Sequence, residues 1–424
     1  MTTDDTRDTR AWVLHPDIKT DRDRRDAEIA LAEAVALAEA LPGLEVVGQE
    51  VVPLRDPQPG ELFGKGKIAE IAERLAEEEI ELVLIDGPVT PVQQRNLEKA
   101  WKVKLLDRTG LILEIFSDRA ATREGVLQVE MAHLSYQRTR LVRAWTHLER
   151  QRGGLGFVGG PGETQIEADR RAIDEQLVRL RRQLDKVVKT RTLHRAARAK
   201  VPYPIVALVG YTNAGKSTLF NRLTGAEVMA KDMLFATLDP TMRGVRLDNG
   251  IDVILSDTVG FISDLPTELV AAFRATLEEV LEADLILHVR DISHPNSEEQ
   301  AADVRAILAS LGVRETTPEL ELWNKTDLLD PEAQAGFAER AAREEDIHTV
   351  SALTGSGMGP VLEAIAGKLE GDMRTEELRL PFADGRKRAW LFDKGLVEGE
   401  VQDEEGYLLT VRWSAKDAAR FEKV

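Results

Sequence analysis

The sequence predicts an α/β protein built in several parts, and three observations point to it. Residues 10 to 107 alternate strand-like and helix-like runs, the pattern of a largely parallel sheet with crossover helices. Residues 122 to 187 carry two stretches with apolar residues at heptad spacing, one on each side of a glycine-rich run. Downstream, the apolar segment Ile205-Val206-Ala207-Leu208-Val209 leads straight into a glycine loop and then a helix-like segment.

The chain's 424 residues leave room for about two to three domains with substantial cores. Cysteine is absent, which excludes a disulfide framework and thiolate metal sites and suits a cytoplasmic protein. The N-terminus, Met1-Thr2-Thr3-Asp4-Asp5, is acidic and lacks the apolar core of a signal peptide. No apolar run approaches the ~20 residues of a membrane helix, so no membrane partner is expected. A net charge of −18 argues on its face against nucleic acid. The distribution says otherwise: from Arg138 to Lys200 there are 16 Lys/Arg against 7 Asp/Glu. That segment reads either as a localised footprint for nucleic acid or as a solvated arginine-bearing helix face.

Taken in order, Ala11 to Leu14 reads as a strand, Asp26 to Ala40 as an alanine-rich helix and Leu44 to Val47 as a second strand. Lys67 to Glu79 reads as a helix, and Leu82 to Ile85 and Lys102 to Leu106 as strands. Phe63-Gly64-Lys65-Gly66-Lys67 could hold a phosphate at a helix start. It lacks the full loop spacing, and a plain glycine turn is the preferred reading.

From Thr122 to Glu149, Leu127, Met131, Leu134, Leu141, Trp145 and Leu148 fall on heptad positions, and Ile166, Ile173, Leu177, Leu180, Leu184 and Val187 resume the stripe after Glu163. Two such helices should pack as an antiparallel hairpin roughly 40 Å long. The loop between them, Gly153-Gly154-Leu155-Gly156-Phe157-Val158-Gly159-Gly160-Pro161-Gly162, holds six glycines in ten residues. Apolar tips on a glycine-rich loop, beside arginines, suit insertion into RNA, where an aromatic ring can stack on a splayed base. A bare connector is the alternative. Residues 190 to 202 read as a basic linker. In the tail, Ala389 to Phe392 and Tyr407 to Val411 read as strands before a final helix, with no catalytic pattern.

The loop Gly210-Tyr211-Thr212-Asn213-Ala214-Gly215-Lys216-Ser217-Thr218 matches G-x-x-x-x-G-K-[ST] at every fixed position. Strand, loop and helix aim backbone N–H groups and a helix dipole at one spot, which suits a polyphosphate. Lys216 would reach the β- and γ-phosphates and the Ser217 hydroxyl would hold Mg²⁺. Asp257-Thr258-Val259-Gly260 supplies a D-x-x-G after an apolar strand, with Asp257 approaching Mg²⁺ and the Gly260 N–H bonding the γ-phosphate. Asn324-Lys325-Thr326-Asp327 supplies an N-K-x-D, in which the Asp327 carboxylate matches the N1–H and N2–H₂ donors of guanine. Ser351-Ala352-Leu353 would add a backbone contact to the base oxygen. Between loop and D-x-x-G, Phe235-Ala236-Thr237-Leu238-Asp239 carries the switch threonine. Thr237 is the choice for the Mg²⁺ shell, and Thr241 the alternative.

Lys216, Thr237 and Gly260 are thus the expected catalytic groups, with GTP as substrate. In the Ras-type GTPase, a glutamine after the D-x-x-G glycine positions the attacking water. Here that slot is Phe261, which cannot polarise water, and no arginine presents itself in cis beyond Arg243 and Arg246. Slow intrinsic hydrolysis, accelerated by a partner, is expected.

Further upstream stand Asp107-Arg108-Thr109 through Ile115-Phe116, then Arg119-Ala120, Thr122, Glu124-Gly125 and Leu127-Gln128-Val129-Glu130. Most specific is Gly160-Pro161-Gly162-Glu163-Thr164-Gln165-Ile166-Glu167, followed by Asp169-Arg170-Arg171. On these residues the GTPase segment resembles the Obg–HflX superfamily, and the N-terminal half is similar to the HflX family within it. The match runs over about residues 10 to 370. The resemblance implies a GTPase of the large ribosomal subunit and its rRNA that separates stalled or idle ribosomes and is stimulated by them. It also implies that the glycine loop approaches the peptidyl-transferase centre. Some family members bind ATP through the N-terminal domain, for which no strong motif stands here.

The expected division is an α/β N-terminal domain over 1–118, a basic helical hairpin over 119–200, a P-loop GTPase domain over 201–371 and a small α+β appendage over 372–424. A cytoplasmic monomer is expected. A GTPase of ribosome assembly or tRNA modification, as in the Era or Obg branches, is one rival reading. An RNA-binding protein using GTP only as a structural ligand is the other.

Overall fold

The computed structural model describes residues 8–21, 24–151, 161–198, 203–226, 233–238, 240–247, 249–263, 278–314, 316–370, 373–403, 405–414, 417–418 and 421–422. Two compact units divide the chain. One takes in Met1–Val187 with Lys231–Asp239 and Asp264–Ala275, and the other Val188–Ala230, Pro240–Ser263 and Thr276–Val424.

The first unit is built on four parallel strands in the order β2-β1-β3-β4: β1 (Thr9–Ile18), β2 (Leu44–Leu54), β3 (Leu82–Ile85) and β4 (Lys104–Asp107). Helix α1 (Ala27–Glu39) starts where the Asp26 side chain accepts from the N–H groups of Glu28 and Ile29. Helix α2 (Lys65–Glu77) begins at Gly64, with Lys67 paired to Glu50 and Glu70, so the glycine pair there opens a helix whose lysine is already engaged. Helix α3 (Pro91–Trp101) has a Thr90/Gln93 capping box and Pro91 in its first turn. It was not expected from the sequence. Neither was α4 (Arg108–Arg119), capped by Asp107 through the Gly110 N–H at 2.8 Å. Phe63, Leu97 and Trp101 close the core beneath the sheet.

The hairpin is present: α5 (Arg123–Gln151) and α6 (Pro161–Arg198) run antiparallel, with Gln176 bonding Glu130 and Arg138 pairing Asp174 at 2.7 Å. Helix α6 continues to Arg198, which corrects the linker expected over 190–202. The sequence there is rich in alanine and arginine, good helix formers, and no proline intervenes before Pro202. Gly153 to Gly160 lie outside the described residues.

A network of buried charges sits at the carboxyl ends of the strands in this unit. Arg108 Nη1 donates to Asp86 Oδ1 at 2.6 Å and Nη2 to Glu33 at 2.5 Å, while His15 Nδ1 lies 2.8 Å from Asp86 Oδ2. Burial alone would raise the Asp86 carboxyl, but Arg108 and His15 outweigh it and hold it at about 2. A folded-state value below the unfolded ~3.9 means the stabilisation is complete above about pH 4 and is lost as pH falls towards 2. Acid unfolding of this unit followed by circular dichroism should therefore steepen between about pH 4 and 2. Asp86→Asn should flatten that segment of the curve. Equal steepness in the variant would refute the assignment.

The second unit contains six strands in the order β10-β9-β8-β5-β7-β6. They are β5 (Ile205–Gly210), β6 (Thr241–Arg246), β7 (Asp252–Asp257), β8 (Leu285–Asp291), β9 (Glu319–Asn324) and β10 (Ile347–Thr349), all parallel except the β6–β7 pair. Strands β5 and β8 are buried almost throughout, β5 with apolar side chains and β8 with His288 and Arg290 among its apolar ones, as in a sheet covered on both faces. A three-stranded antiparallel sheet, β11 (Met373–Leu380), β13 (Tyr407–Ser414) and β12 (Val397–Gln402), follows with a helix at Gly385–Asp393. That helix corrects the strand expected at Ala389–Phe392. A run of four apolar residues fits either period, and Leu391 buried against Leu409 and Val411 decides it.

Candidate nucleotide site

The site is organised where β5 gives way to helix α7 (Lys216–Thr224). Gly210 has φ +150°, and a Cβ added there would stand 2.2 Å from the carbonyl oxygen of Val289 on β8. Only glycine lets the two strands approach so closely. Gly210→Ala should cost on the order of 3 kcal/mol, read as a lower urea midpoint at unchanged slope. An unshifted midpoint would contradict the close approach. Asn213 takes a left-handed φ of 59°, which asparagine tolerates well. Gly215 has φ +94°, and an added Cβ would collide with Asn324 Nδ2 at 2.2 Å.

That last contact joins two motifs far apart in sequence. Asn324 Nδ2 donates to the Ala214 carbonyl at 2.8 Å, and its Oδ1 accepts from the Ala352 N–H at 2.9 Å. Thr326 Oγ1 donates to the Val350 carbonyl at 3.0 Å, and Lys325 pairs with Asp291 at 2.7 Å. Ser351 Oγ donates to Asp327 Oδ1 at 2.5 Å, so one oxygen of the carboxylate is pinned while the residue itself is exposed. Leu353 is exposed, and its carbonyl accepts from Arg222 of α7. The phosphate loop, the N-K-x-D and the Ser351-Ala352-Leu353 stretch therefore form one hydrogen-bonded assembly.

Lys216 is buried, and its Nζ donates to the carbonyls of Tyr211 at 2.7 Å and Gly210 at 3.2 Å. Burial lowers its pKa to about 8, against a smaller raising influence from Asp257. Ser217 Oγ donates to Asp257 Oδ2 at 2.7 Å, and Thr258 Oγ1 to the Leu208 carbonyl at 2.6 Å. Hydroxyl and carboxylate oxygens side by side are hard donors of the kind Mg²⁺ takes. Val259 and Phe261 are buried and Gly260 lies between them. The Thr212 N–H donates to the Phe261 carbonyl at 2.6 Å, and the Phe261 N–H to the Gly210 carbonyl at 3.1 Å. Thr218 lies in the first turn of α7.

Phe235, Ala236, Thr237 and Leu238 belong to the first unit, whereas the phosphate loop belongs to the second. There the Phe235 ring meets Phe116 edge-on at 4.6 Å with φ +53°, and Thr237 is buried. Asp239 lies outside the described residues. Thr241 opens β6 opposite Asp257, and Arg243 and Arg246 are exposed on the same edge strand. Sequence reasoning missed the Tyr211 hydroxyl, which meets Ser263 Oγ at 2.7 Å. A tyrosine in an otherwise small-residue loop was the available signal.

Comparison with known proteins gives four family models in order along the chain. They are the N-terminal region of GTP-binding GTPases over 28–117, their middle region over 119–198, a 50S ribosome-binding GTPase domain over 205–325 and an HflX C-terminal domain over 336–424. The GTPase HflX of Magnetococcus marinus is 51% identical over 382 residues, covering 90% of this chain and 87% of the relative. The GTPase HflX of Escherichia coli is 42% identical over 416 residues, covering 97% and 95%. A GTP-binding protein from Sulfolobus solfataricus, solved with GDP, is similar at 23% identity, covering 85% of this chain and 98% of that one, with a TM-score of 0.45. With relatives of this identity over nearly the whole chain, and the glycine loop hydrogen-bonded to the N-K-x-D, the protein belongs to the HflX family and is a GTPase.

Proposed function

We propose that this GTPase is a nucleotide-switched factor of the large ribosomal subunit that separates stalled or idle ribosomes. The observation that carries the reading is the arm: two antiparallel helices of 29 and 38 residues bearing the basic segment of an otherwise acidic chain. A structure of that length, with arginines along it, suits RNA backbone. The family model over 205–325, described as a 50S ribosome-binding GTPase, supports the same partner. We divide the chain at 118, 200 and 371, so that the arm, the GTPase domain and the appendage are separate parts. No described helix is long and apolar enough to cross a membrane. We place the factor in the cytoplasm, as a monomer working on ribosomes.

In this reading the phosphate-loop amides and Lys216 hold the β- and γ-phosphates, and the Gly260 N–H senses the γ-phosphate. Ser217 and Thr237 would hold Mg²⁺, which when bound neutralises phosphate charge, with Asp257 approaching it through water. Asp327 reads guanine and Ser351 orients it, with Ala352 and Leu353 at the base oxygen. Phe261 is buried and apolar, so the residue after the D-x-x-G glycine offers no group to orient water. Turnover of GTP alone should therefore be slow and should rise at least about tenfold when large subunits are added. Equal turnover with and without them would sink this part of the reading.

Sucrose-gradient sedimentation tests the target. With a non-hydrolysable GTP analogue the protein should travel with the large subunit, and co-migration with the small subunit alone would overturn the proposal. Excising residues 153–162 should weaken ribosome separation and leave guanine-nucleotide affinity unchanged. Undiminished separation would show that the glycine loop is a connector only.

A further inference from the structure

The segment after Gly260 lies strapped across the phosphate loop. Tyr211 and Phe261 form a parallel bridge, in which the Thr212 N–H and the Phe261 N–H are each taken up by a carbonyl of the other segment. Gly260 is so close that an added Cβ would stand 2.9 Å from Thr212 Cα and 3.0 Å from Lys216 Nζ. Lys216 itself points its ammonium at the carbonyls of Gly210 and Tyr211. A γ-phosphate that must fit between Lys216 and the Gly260 N–H has no room in this arrangement. A β-phosphate, cradled by the loop from Asn213 onward, does not call on the Gly260 side.

The Tyr211 hydroxyl fastens the strap. It accepts from the Ser263 N–H at 2.8 Å and lies 2.7 Å from Ser263 Oγ. Ser263 Oγ in turn donates to Asp303 Oδ2 at 2.8 Å, on the helix Ser297–Leu311, so the tyrosine O–H is the donor towards Ser263. All of these groups lie in one compact unit, and the tyrosine is buried. A side-chain hydroxyl of the phosphate loop is thereby tied through the switch segment to a neighbouring helix.

We propose that Tyr211 sets the discrimination between guanosine tri- and diphosphate, by holding the Gly260–Ser263 segment in a strapped arrangement that admits GDP and that GTP must lift. The proposal rests on the reading of Lys216 and Gly260 as γ-phosphate contacts. A ligand that binds only the lifted arrangement loses affinity by the fraction of molecules that are strapped, while one that binds both arrangements equally is indifferent to it. Removing the hydroxyl weakens only the strapped arrangement.

The test is Tyr211→Phe in the full chain with Mg²⁺, measuring dissociation constants for a non-hydrolysable GTP analogue and for GDP. The ring that fills the buried space is kept. The analogue should bind about three- to tenfold tighter than to the parent, from the net worth of two hydrogen bonds, with GDP within about twofold. Ser263→Ala keeps the backbone bond to the tyrosine but breaks the chain to Asp303. It should move the ratio the same way by about twofold, and it carries the test should Tyr211→Phe not fold. An unchanged ratio, a looser analogue or equal tightening of both nucleotides would overturn the proposal. A parent chain whose analogue binding is indifferent to Lys216→Ala would instead overturn the γ-phosphate reading on which it rests.

Discussion

Lys216→Ala is expected to lower GTP affinity by at least about a hundredfold while leaving the fold intact. The side chain is buried beside the loop with its donors on two carbonyls, so a polyphosphate arriving there gains a cation already stripped of water. Charge-assisted hydrogen bonds of this kind are worth about 1.5–3 kcal/mol each, and two of them reach the stated factor. Stability should move the other way. The folded-state pKa of about 8 lies below the unfolded ~10.4, so below pH 8 the fold carries a protonated lysine at a cost on the order of 3 kcal/mol. That cost fades as pH rises from about 8 towards 10.4. The alanine variant should thus be no less stable than the parent near neutrality, a site residue kept for function at the expense of stability. GTP affinity of the parent should fall above about pH 8, with proton uptake on binding. Calorimetry at several pH values in two buffers checks both. A variant binding GTP within threefold of the parent would end the assignment.

Asp327→Ala should be the second large effect, collapsing base selectivity rather than phosphate binding. One carboxylate oxygen is fixed by the Ser351 hydroxyl, which leaves the group oriented to accept from two adjacent donors. Guanine offers N1–H and N2–H₂ in that spacing, and hypoxanthine lacks the second. A site built around a hydrogen-bonding pair rejects a base lacking the complement by about 10⁴ or more, because a carboxylate that the bound base covers is then left unmatched. The parent should therefore prefer GTP to ATP by about that factor, and GTP to ITP by about ten- to a hundredfold for the single missing donor. In Asp327→Ala both ratios should approach one. Competition binding with the three triphosphates decides it, and a retained GTP-to-ITP preference would assign guanine reading to other groups.

The elements that were legible in advance share one property: their signal is contiguous. The apolar run before Gly210 became β5, the alanine-rich stretch became α1, and the heptads became α5 and α6. Those that were missed divide: α4 carries the apolar runs Leu111-Ile112-Leu113 and Ile115-Phe116, too short to show a period, whereas α3 has a mixed surface. Helix α3 buries Gln93, Leu97 and Trp101 among Gln94, Arg95, Asn96, Glu98 and Lys99, and its capping box at Thr90 was the readable sign. Helix Gly385–Asp393 turned on packing, since an apolar quartet carries no period of its own.

What the sequence determined by itself is the chemistry, because each motif of the nucleotide site is a handful of neighbouring residues whose spacing follows from what a phosphate or a purine edge requires. What only the tertiary structure decided is how those pieces are joined. Asn324 reaches Ala214, Phe261 bridges Tyr211, and the Tyr211 hydroxyl finds Ser263 and through it Asp303. Such contacts bring together residues dozens to over a hundred positions apart, held there by a parallel sheet whose strand order is not the chain order. No local pattern encodes them. Burial makes each bond obligatory once the strands are in register, because a polar group taken out of water must find its partner inside the fold.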